Sequence, residues 1–86
     1  MTKIIDGKHA VLALQEAGEK LKSADHEAIL DFSSVRRVDS ITLQAMEEFA
    51  RVADEKTVKV VLCGVNVAVY KVLKLVKLTR RFSFVN

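Results

Sequence analysis

A chain of 86 residues, half of them hydrophobic and 29% charged, has the balance of one folded domain rather than of a disordered tail, and it is too short for a core plus a deep catalytic cleft. Fourteen Lys and Arg against eleven Asp and Glu leave a net charge of +3, too mild to imply nucleic acid without a localised patch. Cys63 is the only cysteine, so no internal disulfide can form, and the longest apolar run, Val60 to Val65, falls far short of the roughly 20 residues that span a bilayer. With an acid interrupting Met1 to Asp6, no export signal is expected and a cytoplasmic setting is.

Taken in chain order, Lys3 to Asp6 reads as a short edge strand, followed by a turn at Gly7 and a helix from about His9 to Lys22 with Val11, Leu14, Gly18 and Leu21 on one face. Ser23 to His26 breaks that pattern. Ala28 to Phe32 has strand length, Ser40 to Glu55 is rich in helix formers, and Val58 to Cys63 is a second buried strand. Gly64-Val65-Asn66 turns into a helix from about Val67 to Lys77, striped by Val69, Val72, Leu73 and Val76, and Phe82 to Val85 closes as a strand. Strands that alternate with helices and are apolar on both faces predict an α/β sandwich around a largely parallel sheet with right-handed crossovers, in a single domain over residues 1–86.

The segment from Ile29 to Leu43 carries the most information about function. An apolar strand ends at Phe32, a polar link follows, and Asp39 or Ser40 supplies an oxygen to cap the next helix. The free N–H groups of that first turn suit a phosphate or an acidic partner group. Turned through 100° per residue, the helix has a broad apolar face. Either neighbouring helices bury all of it, or the Ile41 side, with Ala45 and Phe49, is a partner patch. Arg36 and Arg37 lie in the preceding loop, placed to steer an acidic partner or simply exposed. Lys71, Lys74, Lys77, Arg80 and Arg81 run without an acid, as a solvated face or as a contact for an anionic surface. No aromatic stacking set accompanies them, so no nucleic-acid partner is expected.

His9 and His26 have no metal-ligand spacing around them, Cys63 reads as a small core residue, and neither a Ser-His-acid arrangement nor a phosphate-cradling glycine loop is present. No catalysis, metal or cofactor is expected.

Two motifs carry a family resemblance. Leu30-Asp31-Phe32-Ser33-Ser34-Val35 followed by Val38-Asp39-Ser40, and Val61-Leu62-Cys63-Gly64-Val65-Asn66 followed by Val72-Leu73, resemble the strand-to-helix corner and the penultimate strand and turn of the STAS domain. That module is shared by bacterial anti-sigma factor antagonists and the cytoplasmic tails of sulfate-permease-type transporters, and the likeness runs from about Ile4 to Val85. It implies roughly four strands in a mixed, largely parallel sheet with three main helices, the family's N-terminal hairpin being shortened here. The family's helix start reads Asp-Ser-Ser-Gly-Leu, with the second serine phosphorylated. Here the frame is Asp39-Ser40-Ile41-Thr42-Leu43, so Ile41 stands at the acceptor position and has no hydroxyl.

The resemblance therefore implies a non-enzymatic interaction domain that docks through Arg36, Arg37, Asp39, Ser40, Ile41, Thr42 and Ala45. Its phosphorylation switch is absent or displaced to Ser40 or Thr42, against the repulsion of Asp39. The implied partner is an anti-sigma factor or switch kinase, with a membrane transport complex for anions or lipids as the alternative and a small anion- or nucleotide-binding protein as a third class. The open edge left by the short N-terminus makes a homodimer a further expectation.

Overall fold

The computed structural model describes residues 1–85. Strands and helices alternate as β1 (Thr2–Ile4), α1 (Ala10–Lys20), β2 (Glu27–Asp31), α2 (Ser40–Glu55), β3 (Lys59–Cys63), α3 (Val67–Leu75) and β4 (Ser83–Val85), with single 3₁₀ turns at Ser23–Asp25 and Thr79–Arg81. The four strands lie in chain order, and every neighbouring pair is parallel. The largely parallel sheet expected from sequence is thus parallel throughout its described strands. Lys3, Leu30, Leu62 and Phe84 stand abreast, and so do Ile4, Asp31, Cys63 and Val85.

Because each crossover advances the sheet by one strand in the same direction, right-handed connections put all three helices on one face. The burial pattern agrees. Leu30 and Leu62 share a core with Leu14 of α1, Met46 and Phe49 of α2, and Leu73 of α3, and the Phe84 ring meets Tyr70 of α3 edge-on at 5.2 Å. Ile4, Ile29, Val61, Cys63 and Val85 point the other way and none of them joins that core. Ile4 is 69% exposed. The strands are apolar on both faces, and the helices cover one of them; on the other, Val61 is buried and Ile29 half-buried, whereas Ile4 and Val85 are exposed.

Helix ends follow local chemistry. Both α2 and α3 close with paired bonds that reach back into the last turn. Thr57 N–H donates to the Asp54 carbonyl at 3.1 Å and Val58 N–H to the Ala53 carbonyl at 2.8 Å, and Lys77 and Leu78 repeat this with Lys74 and Leu73 at 3.1 and 2.8 Å. This is the arrangement that glycine usually serves, since the residue past the end must be left-handed. Here Thr57 (φ 57°) and Lys77 (φ 62°) occupy it, and buried Val58 and Leu78 turn back into the core. That geometry explains why β3 begins after Val58 and why α3 stops at Leu75, short of the expected Lys77.

In α1 the buried face is Ala10, Ala13, Leu14 and Ala17, continued by Leu21, rotated from the face expected from sequence. The reason is size: three alanines let α1 approach the sheet closely and swing Val11 and Gly18 toward α2. Along α3, Val69 and Leu73 are buried while Val76 is exposed, so the stripe is narrower than the periodicity predicted. β1 is an edge strand of only three residues, which leaves little backbone to pair with another chain.

Replacing Thr57 by glycine removes the cost of holding a β-branched residue left-handed, and the unfolding midpoint in urea is expected to rise by the equivalent of about 1 kcal/mol with an unchanged slope.

Candidate functional site

In a parallel sheet the turns that leave the C-terminal strand ends gather on one edge, where open α/β folds place their sites. Here the loop from Phe32 to Asp39 lies between two such turns and is tied to both. On one side, the Ser34 hydroxyl donates to the Ile5 carbonyl at 3.0 Å and accepts from the Gly7 N–H at 3.3 Å. A Cβ on Gly7 would come within 2.2 Å of the Ser34 carbonyl oxygen, so glycine is required there. On the other side, the Asn66 side-chain amide donates to the carbonyls of Val35 and Arg36 at 3.3 and 3.2 Å. Gly64 sits at φ +71° with Ser33 against it, a conformation and a closeness that exclude side chains.

The loop also braces itself. Asp31 accepts from the Ser33 hydroxyl at 2.6 Å and the Ser33 N–H at 2.9 Å, and these two bonds, the hydroxyl first, hold its carboxyl below the usual aspartate range. Phe32 extends the β2–β3 pairing by donating to the Cys63 carbonyl at 2.8 Å.

Asp39 then caps α2. Its backbone is extended (φ −104°, ψ −179°) and its carboxylate accepts from the Thr42 N–H at 2.8 Å. The Thr42 amide, and after it the Thr42 hydroxyl, keeps Asp39 ionised below the ordinary range. Asn66 caps α3 in the same way, accepting from the Val69 N–H at 2.7 Å. The first-turn amides of α2 are therefore partly committed to Asp39 rather than left for a phosphate.

Among the residues singled out from sequence, Asp39, Ser40 and Ile41 are exposed together at the helix start, and Arg36 and Arg37 are exposed in the loop before it. Those two arginines line a shallow hollow with Lys8, Ser34 and Asp6. Thr42, expected as a partner contact and phosphoacceptor, is only 7% exposed; two residues beyond Ser40 the helix has carried it to the sheet side. Ser40 is the outward hydroxyl. Ile41 is 61% exposed, and with half-buried Ala45 it lines a groove of about 660 Å³ between α1 and α2. The core covers Phe49 except where it floors that groove.

His9 pairs with Asp6 at 3.2 Å, and no cluster of three metal-ligating side chains occurs among the described residues. Asn66 and Ser34, which hold the corner in place, were not recognised from sequence. An asparagine directly before a helix signals the cap, but the bonds of both residues across about 30 positions of chain have no local signal.

Two measurements separate these contributions. A carboxylate whose folded pKa is depressed stabilises above its unfolded value, ~3.9, and that stabilisation is lost as pH falls through the folded value. Asp39→Asn keeps a capping oxygen but cannot titrate, so its urea midpoint should match the parent at pH 7 and fall less steeply below about pH 4. Asn66→Ala loses the α3 cap and two loop ties and should cost about 1–2 kcal/mol at every pH.

Comparison with known proteins places this geometry. The fold matches the crystal structure of a candidate anti-sigma factor antagonist from Thermotoga maritima with a TM-score of 0.75 at 18% identity, over 99% of this chain and 73% of that one. An NMR structure of the same protein gives 0.74 at 18% identity, over 99% and 74%. At that identity the likeness speaks for the fold. No curated protein matches in sequence. The family model of the STAS domain matches residues 4–86, and the chain belongs to the STAS domain family.

Proposed function

We propose that this domain acts by binding rather than by catalysis, docking the Asp39–Ser40 corner and the Ile41–Ala45 side of α2 onto an anti-sigma factor or related switch kinase in the cytoplasm. The observation that carries the reading is Ile41. A β-branched apolar side chain stands 61% exposed at the first turn of α2, beside exposed Asp39 and Ser40, at the mouth of an apolar groove. Leaving it in water gains nothing for folding, whereas burial against a partner is worth on the order of 2 kcal/mol. Arg36 and Arg37, exposed on the adjoining loop and without an ion pair among the described residues, supply positive charge for steering an acidic surface. Family membership and the described role of the Thermotoga maritima protein support the class of partner.

The switch is altered. Ile41 holds the family's acceptor position, Thr42 is buried, and Ser40 is the exposed hydroxyl that remains, next to the negative charge of Asp39. The domain therefore remains competent to bind when its relatives would be turned off by phosphate.

Affinity capture with the wild-type domain, read by mass spectrometry, is expected to recover a soluble ATP-binding regulator. Ile41→Glu, shown to be folded by circular dichroism, should lose at least about tenfold in affinity for it. Equal binding by the mutant would refute the docking surface, and recovery of a membrane transport complex would favour the transporter reading. Incubated with that regulator and ATP, the wild type should gain no phosphate by intact mass, whereas Ile41→Ser should gain one.

A further inference from the structure

The helical face is divided by charge. Helices α1 and α2 carry six acidic residues against two basic ones, whereas the segment from Val67 to Arg81 carries five basic residues and no acid. Within the domain this division is only partly satisfied. Arg51 is shared between Glu48 and Glu55, and Arg81 reaches Asp54 at 2.7 Å. Glu19 on the rim of the α1–α2 groove, and Lys71 and Lys74 on α3, have no ion pair among the described residues.

The shapes are also complementary. The groove is concave, with Val11, Ile41 and Val52 on its apolar walls and Glu19 and Glu48 on its rim. The outward side of α3 is convex and apolar in two places: Val67 is 70% and Leu75 is 81% exposed, with exposed Lys71 one turn from each and Lys74 beside it. A basic helix with apolar anchors is the ligand that an acidic-rimmed apolar groove selects.

We infer that the occupant of the groove is α3 of a second copy of this chain. Helices α1, α2 and α3 lie side by side on one face, in the order of the strands they connect. A two-fold axis running along the helices lays each α3 over the other copy's α1–α2 groove. The contact is made twice and the pair closes, as an isologous interface does. Lysines 71 and 74 of each copy then face Glu19 and Glu48 of the other, while Val67 and Leu75 enter the groove. This pairing uses the helical layer rather than the three-residue edge of β1. It also covers Ile41 and Ala45, so self-association competes with partner docking; that consequence rests on the proposed function, and the pair itself does not.

Sedimentation equilibrium on the purified domain alone tests the pair without reference to any partner. At about 50 mM salt the mass is expected to rise with concentration from 9.6 kDa to twice that value and no further, and the association should weaken at least about tenfold at 0.5 M salt. Lys71→Glu/Lys74→Glu and Glu19→Lys/Glu48→Lys change exposed side chains, so folding can be verified by circular dichroism. Each variant alone should be at least about tenfold weaker in self-association, and an equimolar mixture should recover the wild-type dimer, since both contacts regain opposite charges. A monomer mass at all concentrations overturns the proposal. So does a dimer indifferent to both charge reversals, which would locate pairing on the β1 edge or the uncovered sheet face, or a mixture that grows beyond a dimer, which would mean an open head-to-tail contact.

Discussion

The handedness of the strand–helix–strand crossover constrains this fold more than any single contact. With four parallel strands laid down in chain order, each crossover repeats the same right-handed step, and all helices must pack on the same face. The layering of the molecule follows from that arrangement. It assembles a core in which Leu30 and Leu62 of the central strands meet α1, α2 and α3. It leaves Ile29 and Val61 on a face without helices, and it sets α1 beside α2 so that Val11, Ile41 and Val52 border a common groove.

The same constraint brings the turns after β1, β2 and β3 to one edge, and side-chain hydrogen bonds convert that proximity into a rigid corner. Asn66 makes the point most clearly. One end of its amide caps α3, and the other holds two carbonyls of the preceding strand's loop. Asp31 and Ser34 act in the same way on the loop itself and on the turn at Gly7. These bonds satisfy backbone groups that a loop would otherwise offer to water, and they fix the direction in which α2 leaves the sheet. By contrast, the surface ion pairs of Arg51 and Arg81 lie at exposures where such pairs contribute little to stability. Their interest lies in the charge they leave unmatched across the helical face.

Function is then a question of what the rigid corner and the groove present. A helix start whose cap is Asp39 already has its own negative charge, and the next outward residues are Ser40 and Ile41 rather than two hydroxyls. In the proposed function, this turn offers apolar and electrostatic contact to another protein rather than a site of covalent modification. In the self-association inferred for the helical face, the same groove also serves as the place where the domain meets its own copy.

The order of elements, the α/β class and the bounds of α2 were legible in the sequence because they depend on local periodicity and on Asp39 as a cap. The Asp39–Ser40–Ile41 corner was legible for the same reason. Other features depended on distances along the chain that no local pattern encodes. Thr42 and Ser40 look equivalent in sequence, yet helix phase turns one inward and the other outward. Thr57 and Lys77 end helices in a conformation usually signalled by glycine, so the sequence pattern carries α3 two residues too far and starts β3 one residue too early, while the end of α2 falls where it is expected. Ile29 looks as buried as Leu30, and only the handedness of the crossovers decides which of the two the helices cover. Which elements form and where the exposed corner begins could be read from the chain locally, because capping and periodicity act over a few residues. Tertiary structure alone decided which faces are covered, which loop Asn66 holds and where a groove opens, because those depend on packing between segments about 30 residues apart.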